Sequence, residues 1–377
     1  MLARLKQMLI KEFIQVVRNK NMRVILFGPA IAQMLIFGYA ATFEIHHVPI
    51  GVLDQDHTPE SRELLARFSS TPYFDVQHQL TSPDEIVKAV DGGEVTIALQ
   101  IHPGFAELLR KGQTAPLQVI VDATNSNTAF IAAGYVNQIA QGFAQDFQRD
   151  RMQRIAPQLM PGMPQVQLQQ RPWYNPDLRS RWFFVPGVIA SLTLVLVTSL
   201  TAFAVVRERE IGTLEQLMVT PIRRGEFILG KTIPFFLIGL LDVTLIATVG
   251  TLWFQVPFRG NLGVLLLGTV LFLLCQLGVG LFISTISSTQ QQAMITAFFF
   301  IMPAITFSGF GFPISTMPAW LQALTYLNPI RYFLEVIRGV YLKGIGLDIL
   351  WPQLTAMAML AIAALSLSVL RFHKAVD

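Results

Sequence analysis

The sequence predicts a polytopic α-helical membrane protein with six transmembrane helices and an inserted extracytoplasmic α/β domain. Of its 377 residues, 52% are hydrophobic and only 14% are charged, whereas about a quarter of a soluble domain is charged. Six stretches each supply the roughly 20 mainly apolar residues that a helix needs to cross the bilayer core. Between the first two stretches lies a polar insertion, residues 44–181, in which strand and helix patterns alternate.

The predicted spans carry almost no charge inside them. They cover residues 22–43, 183–206, 232–254, 262–286, 293–312 and 350–370. Only two charged residues occur in them, Arg23 at the edge of the first span and Asp242 within the third. The charged start of the chain, residues 1–21, lacks the small-residue cleavage site of a signal peptide, so the first span is expected to stay in the membrane. Cys275 is the only cysteine and lies in the fourth span, so no intrachain disulfide is expected.

Positive charge orients the predicted spans, because Lys and Arg accumulate in short cytoplasmic loops. Residues 1–23 hold six of them, residues 207–231 hold five, and the tail 371–377 holds two. The opposite loop, residues 255–261, offers only Arg259. Both termini are therefore predicted to be cytoplasmic, and the net charge of +4 reflects orientation, with no reason to infer nucleic acid binding.

The insertion, residues 44–181, is predicted to bury a core of its own. Its strand patterns are VPIGVLDQD, YFDVQHQL, EVTIALQI and PLQVIVDA. Its helix patterns are TPESRELLARFSS, SPDEIVKAVDGG, PGFAELLRKG and SNTAFIAAGYVNQIAQGFAQDFQRDRMQRI. Thr58 and Pro59 form a helix start, since a hydroxyl cap followed by proline is typical of that position. About 140 residues suffice for an independent domain, and residues 157–176, rich in Pro and Gln, are predicted to link it to the second span.

A stretch rich in histidine and carboxylate at the start of this domain raises the question of a metal site. Its residues are His46, His47, Asp54, Asp56, His57 and Glu60. Imidazole and carboxylate groups bind metals, but a strand end followed by a solvated turn also accounts for them. No G-x-S-x-G, H-E-x-x-H or paired catalytic carboxylate pattern is present. We therefore predict a solvated turn and no metal site.

The stretch GEFILGKT, residues 225–232, fits the phosphate-loop pattern G-x-x-x-x-G-K-[ST]. A phosphate loop needs bare backbone N–H groups between a strand and a helix. Here one carboxylate and three bulky apolar side chains fill the interior, and no buried strand precedes it. We interpret the match as chance. Gly225 and Gly230 are predicted to bend the entry into the third span, and Lys231 to anchor it by snorkelling at the cytoplasmic interface.

The loop of residues 207–231 also contains the pattern of an amphipathic helix. Ile211, Leu214 and Met218 recur at helical spacing, with charged residues on the other face. This pattern predicts a short amphipathic helix at the cytoplasmic membrane face. On the pattern alone, the helix is either a connector or a surface for a partner.

Three stretches together resemble the type-2 permeases of ATP-binding-cassette (ABC) exporters. They are REREIGTLEQLMVTPIRRGEFILGK, SGFGFPISTMPAWLQ and NPIRYFLEVIRGVYLKG. The resemblance covers essentially the whole chain, including the large external domain, a feature of the subgroup often encoded beside membrane-fusion proteins in Gram-negative bacteria. It implies a permease of the bacterial inner membrane, with a periplasmic domain, that moves an amphipathic substrate outward.

The resemblance also implies partners and roles, and it implies that residues 1–21 form a cytoplasmic interfacial amphipathic helix along the membrane. The chain would be no enzyme and would bind no cofactor, because ATP and Mg would sit on separate cytoplasmic ABC ATPase subunits. A second permease subunit, identical or related, would complete the pathway, and a periplasmic membrane-fusion adaptor and membrane lipids are further implied partners. The residues implied to form the coupling helix received by the ATPase are Glu208, Glu210, Gly212, Thr213 and Glu215.

Between its last two spans the family has short re-entrant helices on the outer side. The resemblance places them in residues 313–349, around Asn328, Pro329, Arg331, Glu335 and Arg338. Their charges are expected to meet protein or water, because lipid-exposed irregular backbone does not occur at membrane depth.

Asp242 in the third span leaves two interpretations open. A carboxylate at the centre of a membrane helix costs about 2.5 to 3.5 kcal/mol on insertion scales, so it marks either a functional site or a hydrogen-bonded structural residue. It also keeps an ion-driven secondary transporter as the alternative function, although that class is typically built from repeats with several intramembrane charges. A membrane-tethered sensor or scaffold would need only two spans. The substrate cannot be predicted.

Overall fold

The computed structural model describes residues 28, 31–36, 38–39, 47–155, 173–176, 179–212 and 224–376. It divides into two compact units, Phe43–Arg171 and Met1–Thr42 together with Pro172–Asp377. The predicted interfacial helix, most of the first span and most of the linker lie outside the described residues. The few described positions of the first span are helical.

The first unit is a mixed sheet with helices on both faces. Its strands are β1 (Val48–Asp54), β2 (Phe74–Gln79), β3 (Ile97–Ile101) and β4 (Leu117–Val121). Its helices are α1 (Pro59–Ser69), α2 (Pro83–Asp91), α3 (Phe105–Lys111) and α4 (Ser126–Ile155). The strand order is β2-β1-β3-β4, with β1 parallel to β2 and β3, and β4 antiparallel to β3. Each predicted strand and helix of this region is confirmed at its predicted place.

Local sequence explains the first helix of this unit. The Thr58 hydroxyl accepts from the Ser61 backbone N–H, and the Ser61 hydroxyl accepts from the Thr58 N–H, so two free donors of the helix start are satisfied. Pro59 follows at the first helical position, where its missing N–H costs nothing. Helix α1 then buries Phe68 against the sheet, while α2 covers the other face at Ala98. Strand β3 is consequently buried along its whole length.

The second unit is helical in its described parts. Its α-helices are α5 (Ser180–Glu210), α6 (Arg224–Leu252), α7 (Leu262–Ile286), α8 (Gln290–Thr306), α9 (Ala319–Leu324), α10 (Pro329–Arg338) and α11 (Leu347–Val376). Among the described residues, α5, α6, α7 and α11 are long and apolar enough to cross a membrane. The bounds of α7 match the predicted fourth span.

Several helices differ in length from the predicted spans. Helix α6 begins at Arg224, before the predicted span start at residue 232, and α11 continues to Val376, so the residues predicted to form the cytoplasmic tail are helical up to that position. Helix α8 ends at Thr306, before the predicted end at residue 312, because Gly309 takes a positive φ of 85° that stops the helix. Its 17 residues span about 25 Å, less than the roughly 30 Å hydrocarbon core.

Helix α7 lies at the centre of the second unit and packs closely through small residues. A Cβ added at Gly278 would lie 2.8 Å from the backbone nitrogen of Leu365 in α11. One added at Gly280 would lie 2.8 Å from the carbonyl oxygen of Thr198 in α5. Small residues allow membrane helices to approach this closely, and dispersion contacts then hold them together. Five helices contact α7: α5, α6, α8, α10 and α11.

Candidate functional site

The predicted partner-binding loop starts and ends on two helices that are joined by a buried ion pair. Lys231 Nζ, in α6, donates to Glu208 Oε1, in α5, at 2.7 Å. The two side chains are only 6% and 13% exposed. Lys231 was predicted to snorkel to the interface; instead its ammonium group is withdrawn from solvent, because the carboxylate of Glu208 compensates the charge.

The two residues after Glu208 bind two further elements. Arg209 Nη1 donates to the carbonyl oxygen of Ser287, just after α7, at 3.0 Å. Glu210 Oε2 accepts from Gln290 Nε2 at 2.6 Å and from the Gln290 N–H at 3.3 Å, at the first turn of α8. One turn of α5 therefore contacts α6, the end of α7 and the start of α8.

The predicted amphipathic helix is described only at its edge. Glu208 and Glu210 belong to the last turn of α5, and Gly212 follows with a φ of 77° that lets the chain leave the helix. Thr213 and Glu215 lie outside the described residues. Their predicted contact with an ATPase stays a prediction, as does that of Glu208, whose carboxylate is engaged with Lys231.

The GEFILGKT stretch is helical from end to end. Residues 225–232 all lie inside α6, so Gly225 and Gly230 do not interrupt the helix; the predicted bend there stays a prediction. A continuous helix commits the backbone N–H groups beyond its first turn to intrahelical hydrogen bonds. They cannot surround a phosphate, and the lysine of the pattern is the Lys231 already bound to Glu208. The geometry of a phosphate loop is not formed here.

Asp242 is completely buried in the middle of α6. Within the described residues, neither of its carboxylate oxygens has a hydrogen-bond partner. The hydroxyl group of Thr193, in α5, lies beside the carboxylate but donates its hydrogen to the carbonyl oxygen of Ile189 at 2.7 Å. The structure thus offers no partner in this part of the chain that would explain the residue as a structural hydrogen-bonding group.

The segment between α8 and α11 folds as short helices, and its polar residues hold it to neighbouring elements. Asn328 Nδ2 donates to the carbonyl oxygen of Ala304 at 2.7 Å, and Pro329 starts α10. Arg331 Nη1 binds Thr325 Oγ1. The remaining two residues of the predicted set make one bond each: Glu335 Oε2 accepts from Gln353 Nε2 at 2.9 Å, and Arg338 Nη1 donates to the carbonyl oxygen of Gly309 at 3.2 Å.

The histidine-rich and carboxylate-rich stretch of the first unit forms hydrogen-bonded turns. Asp54 Oδ1 accepts from the N–H groups of Asp56 and His57, both at 3.1 Å. Asp56 Oδ1 accepts from the Gly104 N–H at 2.8 Å, and Oδ2 from the Ala106 N–H at 3.1 Å. Among the described residues, which exclude His46, no three His, Cys, Asp or Glu side chains lie close enough together to hold a metal ion.

Comparison with known proteins identifies the family. The ABC-2 family transporter protein model matches residues 24–370. The probable multidrug ABC transporter permease YbhR of Escherichia coli K12 is 37% identical over 379 residues, covering all of both chains. The related YbhS is 34% identical over 346 residues, 90% of this chain and 89% of YbhS. The inner membrane transport permease YhhJ is 28% identical over 95% of this chain and 96% of YhhJ.

The chain belongs to the ABC-2 transporter family. The family that the quoted stretches resemble is thereby confirmed, and this ABC-2 chain is a permease subunit in the membrane. The contacts that sequence reasoning missed in it are those of Ser287 and Gln290, which receive Arg209 and Glu210. The polar run STISSTQQQ between two apolar stretches indicates that these two residues lie in a polar connection, but it does not indicate which residues they contact.

Proposed function

We propose that this ABC-2 chain is the permease subunit of an exporter that moves an amphipathic substrate outward across a bacterial inner membrane, driven by separate ATPase subunits. Two E. coli relatives carry names of probable multidrug permeases, and the apolar helices suit a route for amphipathic compounds. Six spans are proposed, with residues 22–43 as the first and residues 293–312, which include most of α8, as the fifth. Both termini are cytoplasmic and the α/β unit, within residues 44–181, is periplasmic.

The observation that carries the proposal is the set of contacts made by residues 208–210. A partner that binds the loop between α5 and α6 would displace both helices together, because Lys231 and Glu208 join them. The hydrogen bonds of Arg209 and Glu210 would transmit the same displacement to the end of α7 and the start of α8. Closure of an ATPase below the membrane would therefore move four helices as a rigid body, which is a common form of switching transition.

The other components of the transporter are separate chains in this proposal. ATP and Mg bind to the ATPase, and this chain holds no cofactor and catalyses no reaction. A second permease subunit, identical or related, supplies the other half of the pathway. A periplasmic adaptor docks on the α/β unit, and the short helices of residues 313–349 close the outer side of the pathway, among membrane lipids.

Reconstitution tests the proposal directly. The chain is purified with its candidate ATPase, placed in proteoliposomes, and efflux of the cationic dye ethidium is measured with ATP or with a proton gradient. Dependence on ATP supports the exporter. Dependence on the proton gradient, with ATP without effect, would select the ion-driven secondary transporter instead, which is the second candidate because Asp242 is a buried carboxylate without a partner in the described chain.

Charge reversal tests the coupling surface. Reversal of Glu210 and Glu215 to lysine is expected to reduce ATPase co-purification and export together, because the partner meets the loop they flank. Glu208 is reversed only with Lys231→Glu, which preserves the ion pair. Glu94→Lys, at an exposed turn of the α/β unit, is the matched control. Unchanged co-purification and export after reversal of all three glutamates would rule out the proposed coupling role.

A further inference from the structure

A cavity of about 620 Å³ lies between α10, the start of α11 and the segment after α8. It is at the end of α5 that is remote from Glu208, since Phe183 forms part of its wall. Most of the wall is apolar, with side chains such as Leu334, Leu342 and Ile345. The charged residues among the lining are Arg331, Glu335, Arg338 and Lys343. Three cations against one carboxylate leave this apolar cavity with a net positive charge.

Arg338 is the least compensated of these cations. Its Nη1 donates to the carbonyl oxygen of Gly309, and its Cζ lies 3.9 Å from the centre of the Phe183 ring. Its Nε and Nη2 atoms are buried and have no hydrogen-bond partner among the described residues. A guanidinium group stays charged and carries five N–H donors, and a buried charge without a partner is strongly destabilising.

The neighbouring charged groups neither neutralise the charge of Arg338 nor accept hydrogen bonds from it. Arg331 lies over the Tyr326 ring, 4.0 Å from its centre, and its own Nε is likewise buried without a partner in the described chain. Glu335 Oε2 accepts a hydrogen bond from Gln353 Nε2. No described carboxylate lies within ion-pair distance of either arginine. The wall of one cavity therefore contains two guanidinium groups whose buried N–H donors lack acceptors among the described residues.

We propose that this cavity binds the anionic head group of an amphiphile. Phosphate or carboxylate oxygens accept from the guanidinium group of Arg338 in the cavity wall, whose fork geometry fits a planar or tetrahedral oxyanion. The hydrocarbon part lies against Leu334, Leu342 and Ile345, which exclude water and strengthen the ionic contact. The site is independent of the coupling role of residues 208–215, and its ligand is either an anionic membrane lipid or a transported anion with the same chemistry.

Native mass spectrometry of the full chain tests the proposal. The protein is placed in nanodiscs of equal parts phosphatidylcholine and phosphatidylglycerol, released, and the lipid that stays bound is identified. We expect retention of phosphatidylglycerol over phosphatidylcholine. Arg338→Gln is expected to lower that retention about tenfold, the factor that corresponds to one charged hydrogen bond, while Arg338→Lys retains part of it.

Two further variants keep the test decisive. Arg371→Gln removes an exposed cation at the far end of α11 and is expected to leave retention unchanged. Glu335→Gln removes the carboxylate of the cavity lining at an exposed position and is expected to increase retention. If Arg338→Gln does not yield a monodisperse protein, the result for Glu335→Gln decides alone.

The two sources of ligand are separated by adding oleate to nanodiscs of phosphatidylcholine. Retention of phosphatidylglycerol but not of oleate assigns the site to a phospholipid head group; retention of both assigns it to anionic amphiphiles in general. Absence of selection in the wild type, equal losses in Arg338→Gln and Arg371→Gln, or no gain in Glu335→Gln would each overturn the proposal. Cross-linking of a second copy of the chain into the cavity in lipid-free detergent would overturn it as well.

Discussion

Lys231 and Glu208 form a 2.7 Å ion pair that closes the base of the loop between α5 and α6. The loop of residues 211–223 therefore leaves and re-enters the helical unit at one fixed point. Its two ends cannot separate unless a nearly buried ion pair breaks. A partner that binds the loop must consequently move both helices or neither.

Removal of one member of this pair is expected to destabilise the second unit. Lys231→Met removes the cation that donates to Glu208 Oε1 at 2.7 Å, and the loss of one member of a nearly buried pair costs about 3 to 5 kcal/mol. The double variant with Glu208→Gln is expected to recover most of that loss, because neither charge then remains. Thermal unfolding of the purified chain in detergent measures both, with Arg207→Gln, at an exposed position, as control. Equal stability of the single variant and the wild type would contradict this account of the pair.

Asp56 gives the first unit a pH-dependent contribution to stability. Burial, the largest single influence, raises the pKa of Asp56, but hydrogen bonds from Thr58 and from the N–H groups of Ala106, Gly104 and Phe105 outweigh it and leave the pKa below its ordinary value of 3.8. The ionised form is thus favoured by folding, so its contribution is complete above pH 3.8 and is lost as the pH falls below that value.

Asp56→Asn is therefore expected to cost about 1 to 2 kcal/mol at pH 7, because the amide nitrogen replaces one acceptor oxygen. The difference from the wild type should shrink below pH 4. Hydrogen exchange of the α3 amides in the full chain measures it at each pH. Asp91→Asn, at the exposed end of α2, is the control, and a cost that does not change with pH would contradict the role of the carboxylate.

Close packing between α7 and α11 predicts opposite effects for two glycine substitutions. Gly278→Ala places a methyl group 2.8 Å from the backbone nitrogen of Leu365, so the helices must separate, at a cost of about 1 to 3 kcal/mol. Gly142→Ala, in the middle of α4, meets no atom within 4 Å and should stabilise α4 by about 0.5 to 1 kcal/mol. Thermal unfolding of both variants checks the signs, and a stabilising Gly278→Ala would show that the helices are not in contact there.

The sequence predicts those features that depend on residues close in the chain. Thr58, as the cap residue, and Pro59, at the first helical position, indicate the start of α1, and the uncharged, mainly apolar run of residues 262–286 indicates both ends of α7. The end of α8 was misjudged, because Phe307 and Phe310 prolong the apolar pattern beyond the positive φ of Gly309.

Contacts between distant residues were not predictable. A lysine at the end of an apolar helix usually snorkels, and only the tertiary structure brings Glu208, 23 residues earlier, to Lys231. The bond between Gln290 and Glu210 joins residues 80 positions apart. The charges of α10 were recognised as unusual, but their shared cavity depends on how α10, α11 and the segment after α8 pack together.

Asp242→Asn separates the two roles left open for this residue. Because no described group donates a hydrogen bond to the carboxylate, the amide loses no partner, and the variant is expected to unfold at a temperature no lower than the wild type. If the buried carboxylate takes part in the transport cycle, export falls. We expect a decrease of about tenfold, which corresponds to about 1.4 kcal/mol on the rate-limiting barrier.

Dye efflux from proteoliposomes at matched protein levels measures the effect of Asp242→Asn. Thr201→Val serves as its control in the neighbouring helix, since the Thr201 hydroxyl donates to the carbonyl oxygen of Val197 in its own helix and its loss should leave export unchanged. Export by Asp242→Asn at the wild-type rate would remove the carboxylate from the mechanism. A melting temperature below that of the wild type would show instead that Asp242 has a hydrogen-bond partner among the residues outside the described part of the chain or on a second subunit.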